Sequence, residues 1–172
     1  MKTKKEKRLK EQAKKISIKE GSAYSVMDGF GYRYITPFAV ALQASNFIIG
    51  LLTTLPSLIG SFSQLSTIHL MKRYSRKKIA VFFTSLQGSL WIPLIIIGLL
   101  FMSGTLSPKS ASLFLLIIYS LLATAGAVIG PAWNSWMQDL VDKDRGVYFA
   151  KRARINGVVG LISMIVAGLI LH

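Results

Sequence analysis

The sequence predicts an all-α membrane protein with five transmembrane helices, on three observations. First, 52% of its 172 residues are hydrophobic and only 16% are charged, whereas soluble domains usually carry about a quarter charged residues. Second, residues 43–70, 79–102 and 111–138 contain no Asp, Glu, Lys or Arg. Each of these runs is long enough for a spanning helix, which needs about 20 mostly apolar residues. Third, the formal net charge is +14 and its cations cluster in a few short segments between the apolar runs.

The N-terminal residues 1–19 are predicted to form a basic cytoplasmic tail, followed by a transmembrane helical domain over residues 20–172. Nine of the 21 Lys and Arg residues lie in this tail. No short apolar run with a small-residue cleavage site follows it, so it is not a secretory signal. We expect a solvated, partly helical tail on the membrane surface, where anionic headgroups attract it by about 1 kcal/mol per nearby cation. Nucleic acid is not an expected partner, because no aromatic side chain is interleaved with the lysines.

The first predicted span is the least regular, because it carries two charged residues within otherwise aromatic, small and apolar sequence. A tight turn follows it at "QASNF", with Asn46 as the expected cap of the second helix. The fourth span is longer than a bilayer requires, so its end should project into water. The predicted spans cover about residues 20–42, 48–70, 79–102, 111–140 and 153–171.

The cations predict the orientation of these spans in the membrane. With a cytoplasmic N-terminus, the inside segments are the tail, the loop at 70–78 and the loop at 142–154, which hold nine, five and five Lys and Arg residues. The outside loops then hold only Lys109. Because cytoplasmic loops carry the excess of Lys and Arg, this asymmetry predicts a multi-pass protein of the cell membrane, embedded in the lipid bilayer with its N-terminus inside.

The second cytoplasmic segment also carries a motif. "IHLMKRYSRK", residues 68–77, resembles the loop G-x-x-x-D-R-x-G-R-R/K between the second and third helices of the major facilitator superfamily of secondary transporters. It matches that pattern at Arg73, Arg76 and Lys77. It departs from the pattern at Ile68, Lys72 and Ser75. Two other stretches, "ASNFIIGLLTTLPSLIGSFSQL" and "DKDRGVYFAKR", resemble the start of the family's second helix and its loop between helices four and five.

The resemblance implies an architecture and a function. The fold would be that of an incomplete N-terminal six-helix bundle, of which this chain holds the first five helices. The function would be transport of a small solute by alternating access, with the substrate site between two halves of the protein near the bilayer midplane. The expected partners are the solute, a coupling proton or ion, and a missing C-terminal half, so the chain would be an N-terminal fragment or half. The alternative is a non-transporting membrane assembly partner or a degenerate protein derived from the family.

Enzymatic activity is not expected, because the sequence offers no paired carboxylates, metal-spaced histidines or serine–histidine set. No cofactor or metal site is expected either. The chain contains no cysteine, and His69 has no second metal ligand close to it in the sequence.

A substrate or proton site is predicted around Asp28, in "YSVMDGFGYRY". A carboxylate within a span costs roughly 2.5–3.5 kcal/mol, so it usually faces a cavity or a partner. Steps of four residues place Tyr24, Asp28 and Tyr32 on one helical face. The alternative is a pair between Asp28 and Arg33, which lie roughly 140° apart around a regular helix and therefore need a long reach or a kink. Arg33 could also snorkel towards the outer surface.

The fourth span adds a polar stripe, in which Gly126, Gly130, Asn134 and Gln138 follow one another at steps of four. Such a face predicts either a cavity wall that recognises a polar substrate or close packing between helices. Gln64 could line a pore in the same way or bond a neighbouring helix. The predicted pathway residues are Asp28, Tyr24, Tyr32, Arg33, Asn134, Gln138 and Gln64.

The resemblance further implies a gating network at the cytoplasmic side, because the family pairs acidic residues at helix ends with basic loop residues. Asp139 with Arg73 or Arg76 is a candidate latch, and Asp144 beside Arg145 is a second acidic position. The alternative for each is a solvated charge near a helix end. The predicted gating residues are Arg73, Arg76, Lys77, Asp139, Asp144 and Arg145.

Overall fold

A computed structural model of the chain describes residues 4–141 and 144–171, and over these residues it is helical, without a strand. The predicted all-α class is confirmed. A single 3₁₀ turn, Tyr32–Tyr34, lies between the first two helices. The helices are α1 (Lys4–Phe30), α2 (Ile35–Ala41), α3 (Asn46–Arg73), α4 (Arg76–Ser89), α5 (Trp91–Met102), α6 (Pro108–Leu140) and α7 (Arg145–Leu171).

Four of the described helical segments are long and apolar enough to cross a membrane: Asn46–Arg73, Arg76–Met102, Pro108–Leu140 and Arg145–Leu171. They coincide with the second to fifth predicted spans. Only 11–33% of the most apolar stretch in each is buried inside the protein. Since that much exposed apolar surface is stable in lipid rather than in water, the protein is a multi-pass membrane protein.

The first predicted span is not one regular helix. α1 passes without interruption through the expected boundary between residues 19 and 20, ends at Phe30, and is followed by Gly31, the 3₁₀ turn and α2. Pro37 accounts for part of this break. It has no N–H to bond the Arg33 carbonyl, and its ring would clash with that carbonyl in a continuous α-helix.

The third predicted span is interrupted at Leu90, between α4 and α5. The cause is again a proline, because the ring of Pro93 excludes a regular α-helical hydrogen bond to the Ser89 carbonyl.

Serine side chains cap the N-termini of three of the helices. The Ser45 hydroxyl accepts from Ile48 N at 3.4 Å and the Ser75 hydroxyl from Lys78 N at 3.3 Å. Ser107 caps α6 in the same way, and Pro108 takes the first helical position, where its missing N–H costs nothing. The prediction that Asn46 caps the second helix was wrong: Asn46 is the first residue within α3, and Ser45, in extended conformation, is the cap.

The described residues divide into two compact units. The terminal unit comprises those of Met1–Ile35 and Met137–His172, and the central unit comprises Thr36–Trp136. In the central unit, Ile79, Val128 and Ala132 form a buried cluster. A methyl group placed on Gly60 of α3 would lie 3.2 Å from the Ala127 Cβ atom, so α3 and α6 approach closely there.

In the terminal unit, α1 packs along α7. A Cβ atom at Gly29 would lie 2.6 Å from Ser163 Cβ and 2.8 Å from the Gly160 carbonyl oxygen, so only glycine fits at this crossing. Beyond the break, the Tyr34 hydroxyl donates to the Met164 carbonyl at 2.8 Å. The chain therefore contacts α7 both before the break, at Gly29, and after it, at Tyr34.

The tail differs from the expected solvated segment. The Tyr148 hydroxyl of α7 donates to the Lys14 carbonyl at 3.3 Å, and Ser17 is only 6% exposed. From about Lys14 onwards, the tail is therefore part of a helix pair rather than a chain lying alone on the membrane surface.

Candidate functional site

A cleft of about 430 Å³, lined by both polar and apolar residues, opens between α1 and α7 within the terminal unit. Its α1 side carries a hydroxyl, a carboxylate and the guanidinium that follows the break in that helix. Its α7 side carries an amide, two glycines and two apolar side chains. The lining residues are Ser25, Asp28, Arg33, Asn156, Gly157, Gly160, Leu161 and Met164.

An ion pair lies at the α1 side of this cleft. Arg33 Nε donates to Asp28 Oδ2 at 3.2 Å. The Arg33 side chain is 63% exposed and that of Asp28 is 33% exposed, so neither charge is fully desolvated. The pair forms because the chain leaves the α-helix at Gly31, which brings residue 33 back towards residue 28. The alternative hypothesis for Asp28, a pair with Arg33 through a kink, is therefore the arrangement observed.

The Asn156 side chain, on the α7 side of the cleft, contains an oxygen without a hydrogen-bond donor. Asn156 Oδ1 is buried, and no group among the described residues donates to it. A buried acceptor without a donor costs about 1–3 kcal/mol. Ser25 does not supply the donor, because its hydroxyl donates to the Gly21 carbonyl at 2.9 Å. The Asn156 side chain therefore lines the cleft with one buried acceptor that has no donor among the described residues.

Arg152 of α7 holds α1 and α7 together on the N-terminal side of Asp28. Its Nε atom donates to the Ser17 carbonyl and its Nη2 atom to Glu20 Oε2, both at 3.2 Å. The Arg152 side chain is only 19% exposed. Since one guanidinium holds both a backbone carbonyl and a carboxylate of α1, it sets the position of α1 against α7 about two to three turns before Asp28.

The two predicted tyrosines do not line the cleft. Tyr24 is 44% exposed and is not among the lining residues, whereas Tyr32 is half-buried in the 3₁₀ turn. The expected tyrosine-lined face required a helix that continued to Tyr32. Because α1 ends at Phe30, the four-residue step from Asp28 to Tyr32 no longer keeps the two on one face.

The other predicted pathway residues lie elsewhere. Asn134 and Gln138 are exposed on the last turns of α6, and Gln64 is exposed on α3. None of them contributes to the cleft. The glycine stripe on α6 offers little packing at Gly130, because no described atom lies within 4 Å of a Cβ atom placed there. A substrate role for the α6 amides stays a prediction.

The predicted gating residues fall on both units. Arg73 and Lys77 are exposed, and half-buried Arg76 donates from Nη1 to the Ser135 carbonyl at 3.4 Å within the central unit. Asp139 is exposed near the end of α6, in the terminal unit. The latch between Asp139 and the basic loop therefore joins residues of different units and stays a prediction.

The segment between α6 and α7 contains the second acidic position. Asp144 has a positive φ of 54°, and its carbonyl accepts from Tyr148 N at 3.0 Å at the start of α7. Arg145 Nε donates to the Val141 carbonyl at 2.7 Å, so its guanidinium covers the end of α6. The first two residues of the predicted loop motif, Asp142 and Lys143, lie outside the described residues.

Sequence reasoning missed the α7 side of the cleft. Asn156, Gly157 and Gly160 were not among the predicted pathway residues. The signal that could have found them is the single asparagine beside glycines in an apolar helix, because a lone amide in such a helix needs a partner. Over the described part of the chain, no three His, Cys, Asp or Glu side chains lie together in a way that could hold a metal ion.

The fold and the cleft define a class: a multi-pass helical membrane protein with a polar, charged cleft beside an apolar helix. Comparisons with protein-family models, with curated proteins and with solved structures found no match to this chain. Membership of the major facilitator superfamily therefore stays a prediction from the residues of the loop at 68–77.

Proposed function

We propose that the chain is part of a secondary transporter that moves a small polar solute by alternating access, and that the α1–α7 cleft is part of the solute's path. One observation carries the proposal: an ion pair and an unsatisfied amide oxygen line the same cleft beside an apolar helix. Asn156 lies in one of the helices apolar enough to cross a membrane, where polar groups are costly and usually mark a substrate or ion pathway. The resemblance of the loop at 68–77 to a transporter signature supports the alternating-access mechanism.

The groups in the cleft favour a solute that carries a cationic donor and an anionic group. A carboxylate accepts up to about four hydrogen bonds and a guanidinium donates five, so the single bond between Asp28 and Arg33 leaves most of their capacity unused. An ammonium group would be attracted by the Asp28 carboxylate. A carboxylate or phosphate on the same solute would bind the Arg33 guanidinium.

A specific observation favours the second candidate, a non-transporting assembly partner. No described atom lies within 4 Å of a Cβ atom placed on Gly157, so this face of α7 is uncovered. A helix of another subunit could pack there, because small residues allow close approach between membrane helices. In that case the cleft would be an interface rather than a water-filled path.

Cysteine accessibility distinguishes the two candidates, and the chain is suited to it because it contains no cysteine. Gly157→Cys places a thiol in the cleft, where a side chain has room. Val158→Cys, at the next residue, is the matched control because Val158 is 54% exposed but does not line the cleft. Each variant is treated in membranes with a charged, membrane-impermeant maleimide.

A solute path predicts rapid labelling of Gly157→Cys and slow labelling of Val158→Cys, because thiols react as thiolates in water and not in lipid. A buried interface predicts that both are slow and that Gly157→Cys reacts only after the membrane is dissolved in detergent. That second result would reject the proposed path.

A further inference from the structure

A second cleft lies in the central unit, at the bend between α3 and α4. We call it the elbow cleft. Its volume is about 410 Å³. Its lining residues are Leu70, Tyr74, Lys78, Ile79, Phe82 and Phe83.

The elbow cleft has an apolar floor and wall. Ile79 is buried at 3% exposure, and Phe83 packs against the cluster that Ile79 forms with α6. The Phe82 ring stands edge-on to that of Phe83, with their centroids 5.3 Å apart, and Phe82 remains 63% exposed. A long apolar chain placed along these rings would bury surface that the protein itself leaves uncovered.

The rim of the elbow cleft is polar and cationic. Tyr74 is 56% exposed at the end of α3, which places a phenol beside the opening. Lys78 lies in the first turn of α4 and supplies the cation among the lining residues. An apolar body with an aromatic hydroxyl and a cation at one end is typical of a site at a membrane–water interface.

The surrounding charge is unbalanced. The central unit, Thr36–Trp136, contains six Lys and Arg residues and no Asp or Glu. Five of the six lie between Lys72 and Lys78. Three of these, Arg76, Lys77 and Lys78, occupy the first turn of α4, where the helix dipole disfavours cations and favours an anion. The unit therefore holds a strongly cationic rim with no carboxylate of its own to neutralise it.

We propose that the elbow cleft binds an anionic phospholipid of the membrane, with an acyl chain against Phe82 and Phe83 and the headgroup phosphate at Lys78. The apolar lining matches the chain, and the cationic rim matches the phosphate. The cleft lies where two membrane-spanning helices meet, so a lipid reaches it without leaving the bilayer. The site is separate from the α1–α7 cleft and does not depend on the proposed transport function.

The test measures phospholipid binding to the delipidated full chain in detergent by native mass spectrometry. The probe is phosphatidylglycerol, and phosphatidylcholine with the same acyl chains is the comparison, because its choline cation cancels the charge of its phosphate. Lys78→Gln removes the lining cation, and Lys77→Gln is the matched control, because it removes an adjacent cation of the same turn that does not line the cleft. The Ser75 cap survives in both variants, since it bonds the backbone N–H of Lys78 and not its side chain.

We expect wild type to retain phosphatidylglycerol in preference to phosphatidylcholine, and Lys78→Gln to weaken phosphatidylglycerol binding about tenfold, as for one charge-assisted contact. Lys77→Gln should change phosphatidylglycerol binding less than about twofold, as expected for the loss of a charge that is solvated. Phe82→Ala should weaken binding of phosphatidylglycerol, whereas Val81→Ala, at an equally exposed neighbouring residue outside the cleft, should not.

Three results would overturn the proposal. Equal weakening by Lys77→Gln and Lys78→Gln would mean diffuse attraction to the whole basic segment. Equal retention of the two phospholipids would mean that the net negative charge of the headgroup is not recognised. Displacement of the lipid by soluble glycerol phosphate at a similar concentration would mean that the rim binds the phosphate alone and the apolar cleft contributes nothing.

Discussion

Arg33 Nε lies 3.2 Å from Asp28 Oδ2, although the two residues are five positions apart and would lie on different faces of a regular helix. The interruption of the helix at Gly31 makes the contact possible. The ion pair, the break and the α1–α7 cleft are therefore one structural feature.

The ion pair should contribute little to stability. Because the Arg33 side chain is 63% exposed, we expect a coupling of about 0.2–1 kcal/mol between Asp28→Asn and Arg33→Gln. The measurement is a double-mutant cycle on the free energy of unfolding in detergent micelles. A coupling above about 2 kcal/mol would be that of a desolvated pair and would contradict the observed exposure.

Gly29 should tolerate no side chain. Gly29→Ala places a methyl group 2.6 Å from Ser163 Cβ and 2.8 Å from the Gly160 carbonyl oxygen, so the α7 backbone must move. We expect a loss of about 1–3 kcal/mol in the free energy of unfolding, as in other overpacked sites. Gly157→Ala on α7 is the control. Its added methyl group meets no described atom within 4 Å, so this variant should be as stable as the wild type or more stable by up to about 1 kcal/mol. Equal stability of the two variants would show that α1 and α7 do not cross at Gly29.

Ser75 should act as the cap of α4. Ser75→Ala removes the acceptor for Lys78 N, so we expect a loss of about 0.5–2 kcal/mol, whereas Ser75→Gly should lose only a few tenths. The local measurement is amide hydrogen exchange over residues 76–79, which should accelerate in Ser75→Ala. Unchanged exchange in Ser75→Ala would rule out a capping role.

The basic segment at 72–78 should face the cytoplasm. The chain contains no cysteine, so Lys72→Cys and Thr105→Cys each introduce a single thiol at an exposed position, the first in the last turn of α3 and the second in the loop that follows α5. Because positive charge stays inside, an impermeant maleimide added outside intact cells should label Thr105→Cys and spare Lys72→Cys. The reverse pattern would invert the predicted orientation. Opening the cells should make both thiols reactive and serves as the control.

Long apolar runs made most of the fold predictable. The charge-free runs 43–70, 79–102 and 111–138 each became a membrane-length helical segment, because the absence of charge over about 20 residues leaves few alternatives to a spanning helix. Boundaries were less predictable. Asn46 was predicted as the cap instead of Ser45 because asparagine and serine both cap helices well. The capping residue is the one that adopts extended backbone, which is Ser45. That choice depends on the preceding turn, where Gln43 has a positive φ of 58°.

The candidate site was predictable only on its α1 side. Asp28 stood out because a carboxylate in apolar sequence needs a partner, and the sequence left both tyrosines and Arg33 as candidates. Periodicity favoured the tyrosines, since it assumes an unbroken helix. Asn156 is more than 120 residues away in the chain, and nothing in its own neighbourhood connects it to Asp28.

The sequence by itself determined that this protein crosses the membrane several times as helices, because apolar length and clustered charge act locally and need no knowledge of contacts. Only the tertiary structure decided which polar groups meet. The backbone break at Gly31 selected Arg33 as the partner of Asp28, and the close crossing at Gly29 brought α7 alongside. These outcomes depend on sub-ångström packing between distant segments, and no pattern within either segment encodes that packing.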